Sequence, residues 1–191
     1  MIKTLLISLG VLAAFTGAEV DTYEVETGQS QVIWKARKVT GAHEGTVSVQ
    51  SGSFRVEDEK LVGGSFVIDM RTINVTDLSG ESKGKLEGHL KSPDFFSVQD
   101  FGTASFVITK VTPQGDQHKI DGVMVVKNIA QDVSFVADVK MEKGQVMATA
   151  DIKLDRSKFD VRYGSGSFFD NLGDNLIYDE FDLSISLVAS M

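Results

Sequence analysis

The chain has 191 residues, 42% hydrophobic and 24% charged, with 2 prolines, no cysteine and a formal net charge of −8. This composition supports one globular domain with a substantial core. It excludes disulfides, thiol catalysis, thiolate metal sites and a lipid-modified cysteine, and so acidic a surface repels nucleic acid and anionic headgroups.

Residues 1–18 differ from the rest. Lys3 precedes a nearly continuous apolar run, Leu5 to Phe15, and Thr16-Gly17-Ala18 offers small residues for cleavage. A bilayer span takes about 20 apolar residues, so this shorter run fits a secretory signal peptide. Cleavage is expected near Ala18, leaving residues 19–191 as a single domain in the periplasm.

From there, period-two alternation dominates. Val32, Trp34 and Ala36 share one face of "SQVIWKARKV", while Lys35 and Arg37 take the other. Phe54 and Val56 repeat the pattern in "GSFRVE", and Phe66, Ile68 and Met70 repeat it in "GGSFVIDMRTI". After an interruption it resumes with Phe106 and Ile108, then with Ile120, Met124 and Val126 around Gly122. Val133, Phe135, Ala137, Val139 and Met141 follow, then Val146, Ala148, Ala150, Ile152 and Leu154. Phe181, Leu183, Ile185 and Leu187 make the last run. Turn-forming pairs such as Gly115-Asp116 and Lys143-Gly144 separate the runs. Short strands with one apolar and one polar face predict an all-β fold, an antiparallel sheet wetted on one side. About eight or nine of them suit a closed barrel, which leaves no exposed edge; a two-sheet sandwich is the alternative.

The interruption, about residues 79–91, reads as a short helix near one barrel end. Leu86 and Leu90 stand four apart, and Lys83, Glu87 and Lys91 form a charged stripe at the same spacing. Gly80, Gly84 and Gly88 also recur every four residues, and each costs roughly 1 kcal/mol of helix stability relative to alanine. A bare face lying close against the barrel would compensate, and Gly84→Leu would then push the helix away; a frayed connector is the alternative. Pro93 restricts Ser92 and ends the helix, and Phe95 and Phe96 follow at once.

The inward candidates carry no charge. An eight-stranded interior is either filled by side chains or holds one small ligand. Small residues on the same faces (Ala36, Gly122, Ala137, Ala148 and Ala150) set against Phe and Trp favour a partly open tunnel. Its expected lining is Trp34, Phe54, Phe66, Ile68, Met70, Phe106, Ile108, Phe135, Phe181 and Leu183. A hydrocarbon chain gains about 0.8 kcal/mol for each CH2 removed from water, so such a tunnel binds it with few polar contacts. Phe95 and Phe96, carried across the mouth by the helix, would roof the entrance.

The segments "VIWKARKVTGAHEGTV", "LVGGSFVIDMRTI", "LEGHLKSPDFFSV", "ASFVITKV" and "IKLDRSKFDVRYGSG" stand in the order and spacing of the YceI-like family. The chain resembles that family from about Asp21 to Ala189. The resemblance implies a lipocalin-like barrel in an exported bacterial protein. It also implies a non-enzymatic carrier of amphiphiles with long apolar tails: polyisoprenoids, isoprenoid quinones or fatty amides. By motif position, Trp34, His43, His89, Phe95, Phe96 and Arg156 correspond to the family's recurrent residues. Asn128 and Asp160 stand where the family usually has glycine. Asn tolerates a left-handed backbone, and Asp160 adds charge near Arg156.

His43, His89 and His118 fit neither an H-x-x-x-H nor an HExxH pattern, so no metal is expected. His43 and His89 are placed at loops near a barrel end, bonding backbone or, with Arg156, a ligand headgroup; His118 is read as a solvated turn residue. "FFDNLGDNLIYDE" lacks the frame of a calcium loop, and Asn171, Gly173 and Asp174 read as turn formers. Phe168 and Phe169 mirror Phe95 and Phe96, either as a second flap at the mouth or as core anchors. The "GSGS" stretch, Gly164–Ser167, has no histidine tied to it by sequence, and no catalysis is expected. The reading is a periplasmic carrier of one long-chain lipid, such as an isoprenoid or quinone, with no other cofactor. Transient membrane contact and a homodimer are compatible with it. The alternative is a stress-response or protein-interaction barrel with a filled core.

Overall fold

The computed structural model describes residues 19–191; the expected signal peptide, residues 1–18, and its cleavage site at Ala18 lie outside them. The strands in chain order are β1 (Val20–Val25), β2 (Gln31–Lys38), β3 (Gly41–Glu57) and β4 (Lys60–Val75). The helix α1 (Gly80–Lys91) follows, then β5 (Thr103–Gln114), β6 (Gln117–Val126), β7 (Ile129–Glu142), β8 (Gln145–Asp155) and β9 (Ile177–Ser190). Neighbours run β1-β3-β2-β9-β8-β7-β6-β5-β4, and β4 returns to β3, so eight strands close an antiparallel barrel. β1 is an added strand, paired with β3 at residues 53–57 and with the end of β9.

Closure demands bending. β3 is 17 residues long and β4 is 16, and their shared ladder slips register at Thr46/Ser48, Val49/Ser51 and Arg55/Val56. Each slip is a bulge that adds twist, which lets one strand serve β2 with its first part and β1 with its last. The hairpin turns carry the matching handedness: Lys127-Asn128 and Lys143-Gly144 all have positive φ, the two-residue turn that suits twisted strands. Asn128 (φ 59°) and Asp160 (φ 58°) are both left-handed, which explains why glycine is common there and why Asn and Asp are tolerated.

Close approach requires glycine at several positions, Gly45 and Gly122 among them. A Cβ on Gly45 would lie 2.0 Å from the Asn74 carbonyl oxygen and 2.6 Å from the Trp34 ring. One on Gly122 would lie 2.4 Å from the Phe106 ring. Gly122 therefore seats Phe106 and leaves no space of its own, contrary to the expectation that it widens the tunnel.

The glycine stripe of α1 is a second correction. Gly80, Gly84 and Gly88 have nothing within 4 Å of a built Cβ and face solvent. The helix docks through the opposite side. Lys83 Nζ donates to Asn74 Oδ1 at 2.8 Å, Glu87 Oε1 accepts from the Val75 N–H at 2.9 Å, and Leu90 is buried. Glu87 thus satisfies the last backbone donor of β4, and polar anchoring replaces the expected close glycine contact.

Two groups of buried side chains flank the interior. One joins Val32, Phe54, Val56, Leu61, Ile120, Val146 and Ala189. The other gathers Met70, Val75, Leu90, Phe95, Phe159 and Val161 beneath α1.

Candidate functional site

Between the two groups runs a cavity of about 210 Å³. Alternation builds its walls: every second residue of β2 and β9 points in, giving Val32, Trp34 and Ala36 opposite Phe181, Leu183, Ile185 and Leu187. All ten residues expected in the lining border it: Trp34, Phe54, Phe66, Ile68, Met70, Phe106, Ile108, Phe135, Phe181 and Leu183. Ala36, Ala137, Ala148 and Ala150 border it too, and their lack of bulk keeps the middle open. The volume exceeds the roughly 150 Å³ of an apolar cavity that stays dry and accepts benzene. It falls short of the roughly 300 Å³ at which drug-sized pockets begin. A stretch of chain fits at rest, and a long tail needs lining side chains to yield; Met70 and Met124 are the adaptable ones.

The side-chain donors of Trp34 and Arg156 at the lining are committed elsewhere. The Trp34 indole N–H donates to the Thr46 carbonyl at 3.3 Å. Arg156 is 3% exposed and begins a 3-10 turn, Arg156–Phe159. Its Nε donates to the Tyr178 carbonyl at 3.2 Å and Nη1 to those of Val161 (2.8 Å) and Tyr163 (2.9 Å). Nη2 donates to the Ile177 carbonyl at 2.9 Å and ion-pairs with Asp179 at 3.3 Å. Burial pushes the Arg156 pKa down, while Asp179 and Asp155 act against that shift. Asp160 does not pair with Arg156; its carboxylate turns to Arg162.

Phe95 and Phe96 border the cavity under α1, their ring centroids 5.2 Å apart. The Arg156 guanidinium lies 5.4 Å from the Phe95 centroid. Ser92 takes an extended backbone before Pro93, and the following turn drives Phe95 inward to 6% exposure. Both rings border the cavity at the end where Arg156 lies.

His43, His89, Phe168 and Phe169 stand outside the lining. His43 Nδ1 bonds Asp77 at 2.8 Å. His89 packs edge-on to Phe95 (5.7 Å) and Tyr163 (4.4 Å), with Nε2 buried and unpartnered among the described residues. Phe168 and Phe169 are exposed, so they anchor no core, and Phe168 instead lies 5.0 Å from the Arg162 guanidinium. With Tyr163 and Tyr178 they are all of the exposed aromatic side chains among the described residues. Tyr178 also borders the cavity. His118 belongs to β6, not to a turn, and its Nδ1 is buried. Asn171 and Gly173 have positive φ, as turn formers do.

A model of the YceI-like domain matches residues 23–189. Among curated proteins, none matches the chain. Among solved structures, BcnA of Burkholderia cenocepacia is similar at 20% identity and a TM-score of 0.69, over 87% of this chain and 99% of that one. A polyisoprenoid binding domain from Saccharophagus degradans, implicated in plant cell wall breakdown, is similar at 10% identity and a TM-score of 0.64, over 88% and 97%. A Campylobacter jejuni YCEI protein is similar at 15% identity and a TM-score of 0.54, over 69% and 74%. At these identities the likeness is one of fold, a closed barrel with one added strand and one short helix, and the match over residues 23–189 carries the conclusion that the chain belongs to the YceI-like domain family.

Proposed function

We propose that the barrel sequesters or transports one long-chain apolar amphiphile in the periplasm, its tail in the cavity, and catalyses no reaction on it. The carbon lining carries this reading. With the donors of Arg156 and Trp34 already bonded to backbone carbonyls, the interior rewards burial of hydrocarbon and little else. Six methylenes leaving water would contribute about 5 kcal/mol. The polyisoprenoid binding domain among the structural relatives supports the same ligand class, which includes polyisoprenoids, isoprenoid quinones and fatty amides. The exposed rings of Tyr163, Phe168, Phe169 and Tyr178 suit brief contact with a membrane surface during loading.

Trp34 is the sole tryptophan and borders the cavity, so it reports occupancy directly. Titration of solvent-extracted protein with an isoprenoid quinone is expected to quench Trp34 fluorescence saturably, at one quinone per chain. An unchanged signal, with free quinone recovered quantitatively, would refute the carrier and favour an interaction barrel. Phe96→Ala opens the roof and is expected to speed quinone release several-fold, since half a roof slows exit less than a whole one.

A further inference from the structure

The barrel wall is not hydrogen-bonded along its whole height. β7 and β8 pair only from Asp138↔Thr149 to Glu142↔Gln145. Beyond that, β7 runs on to Ile129 bonded to β6 alone, and β8 runs on to Asp155 bonded to β9 alone. The gap is bounded below, where Gln131 Nε2 donates to the Lys158 carbonyl at 3.1 Å and Lys127 Nζ to that of Asp160 at 2.7 Å. Between these limits, residues 132–137 face residues 150–155 across an unpaired seam. Both edges present backbone N–H and C=O groups without a ladder partner.

The seam has two sides. On its inner side, Phe135, Ala137, Ala150, Ile152 and Leu154 line the apolar cavity. On its outer side is a polar groove bordered by Gln117, Val136, Asp138 and Asp151. Thr149, Ala150 and Ile185 border both, so these three side chains stand between them. The charges of the groove have one sign. Asp138 accepts from Gln117 Nε2 at 3.2 Å on both oxygens, and Asp151 accepts from Ser184 Oγ at 2.6 Å. No cation borders the groove. Of the cations near the groove, Lys153 is engaged by Asp182 at 3.1 Å and Glu180 at 3.6 Å, Lys119 by Asp121 at 3.3 Å, and Lys140 stands one outward position beyond Asp138, outside the lining.

We propose that this seam is the headgroup subsite of the carrier: the tail lies in the cavity, and the head rests in the groove between Asp138 and Asp151. The inference rests on the carrier reading above. A phosphate or carboxylate head meets two carboxylates in the groove lining and no cation in it. A neutral or cationic head bearing N–H or O–H groups finds carboxylate and backbone acceptors. Donating heads (long-chain amides, alcohols or amines) are favoured and prenyl phosphates selected against, while an uncharged quinone head meets no charge repulsion and can accept from the unpaired backbone N–H groups of the seam.

The test uses decylamine, decanol and decyl phosphate competing for solvent-extracted protein against N-phenyl-1-naphthylamine, a neutral fluorophore for apolar cavities. Decylamine and decanol are expected to compete about tenfold better than decyl phosphate. The double variant Asp138→Lys/Asp151→Lys should reverse the amine–phosphate order. The double variant Asp94→Lys/Asp170→Lys makes the same change of net charge with exposed residues at the helix mouth, and it should leave the order as it was. Fluorophore uptake by each variant verifies an intact barrel. An order that is flat in the native protein, that moves equally in both variants, or that moves only in the mouth variant overturns the seam subsite while the carrier stands. Native protein that takes up neither fluorophore nor any decyl compound overturns both.

Discussion

Arg156 is the residue on which the Phe95 end of the barrel depends. One guanidinium ties Val161 and Tyr163 to Ile177 and Tyr178 and lies against Phe95. Arg156→Met would strand those carbonyls and Asp179 in a buried place, so a loss of about 3–5 kcal/mol is expected in urea unfolding. Arg156→Lys should recover little of it, because an ammonium cannot span a planar fan of acceptors. A lysine variant as stable as the native protein would refute the clamp. Asp77 acts at lower stakes. Its burial works to raise its pKa, but hydrogen bonds from His43 and the Glu44 N–H outweigh that and leave it below its ordinary 3.8. A depressed carboxylate stabilises fully above the unfolded-state pKa and loses that contribution as pH falls through the folded one. Asp77→Asn should therefore cost up to about 1 kcal/mol near neutrality, given its exposure, and nothing at about pH 2. Equal losses at both values would show that the carboxylate's charge is irrelevant.

At the scale of the element, α1 makes the clearest prediction. Its glycines face solvent with nothing near a built Cβ, so Gly84→Ala should raise stability by roughly 0.5–1 kcal/mol, seen as a higher Tm. Gly84→Leu should not lower it. A marked fall in Tm for either would mean that the bare face packs after all. The strands with strong alternation were legible from sequence, because a buried face of β-branched and aromatic residues has period two whatever the topology. The lining followed from the same pattern. β1 and the first part of β3 were not legible: "VDTYEV" and "GAHEGTVSVQ" offer few large apolar residues, and Gly45 is there because Trp34 lies over it. The direction of the α1 stripe was hidden for a related reason. Four-residue spacing puts glycines on one face, but only the Asn74 and Val75 anchors on β4 decide which face turns inward. The seam left no trace either, since β7 and β8 alternate alike where they pair and where they part.

The whole molecule is a hydrogen-bonded wall around an incompletely filled interior. Ladders on nearly every side hold the wall, and the alanines inside it withhold the bulk that would fill the centre. Filling the space by substitution should abolish binding without unfolding the barrel. Ala148→Phe is expected to exclude quinone, at a cost of about 1–3 kcal/mol from overpacking; quinone bound as tightly as before would place the ligand elsewhere. Native mass spectrometry of the purified protein is the decisive measurement of occupancy. A carrier should show the mass of one lipid on each chain, lost on solvent extraction and regained on incubation with an isoprenoid quinone. A bare chain at every stage, with no adduct regained, would contradict the carrier reading.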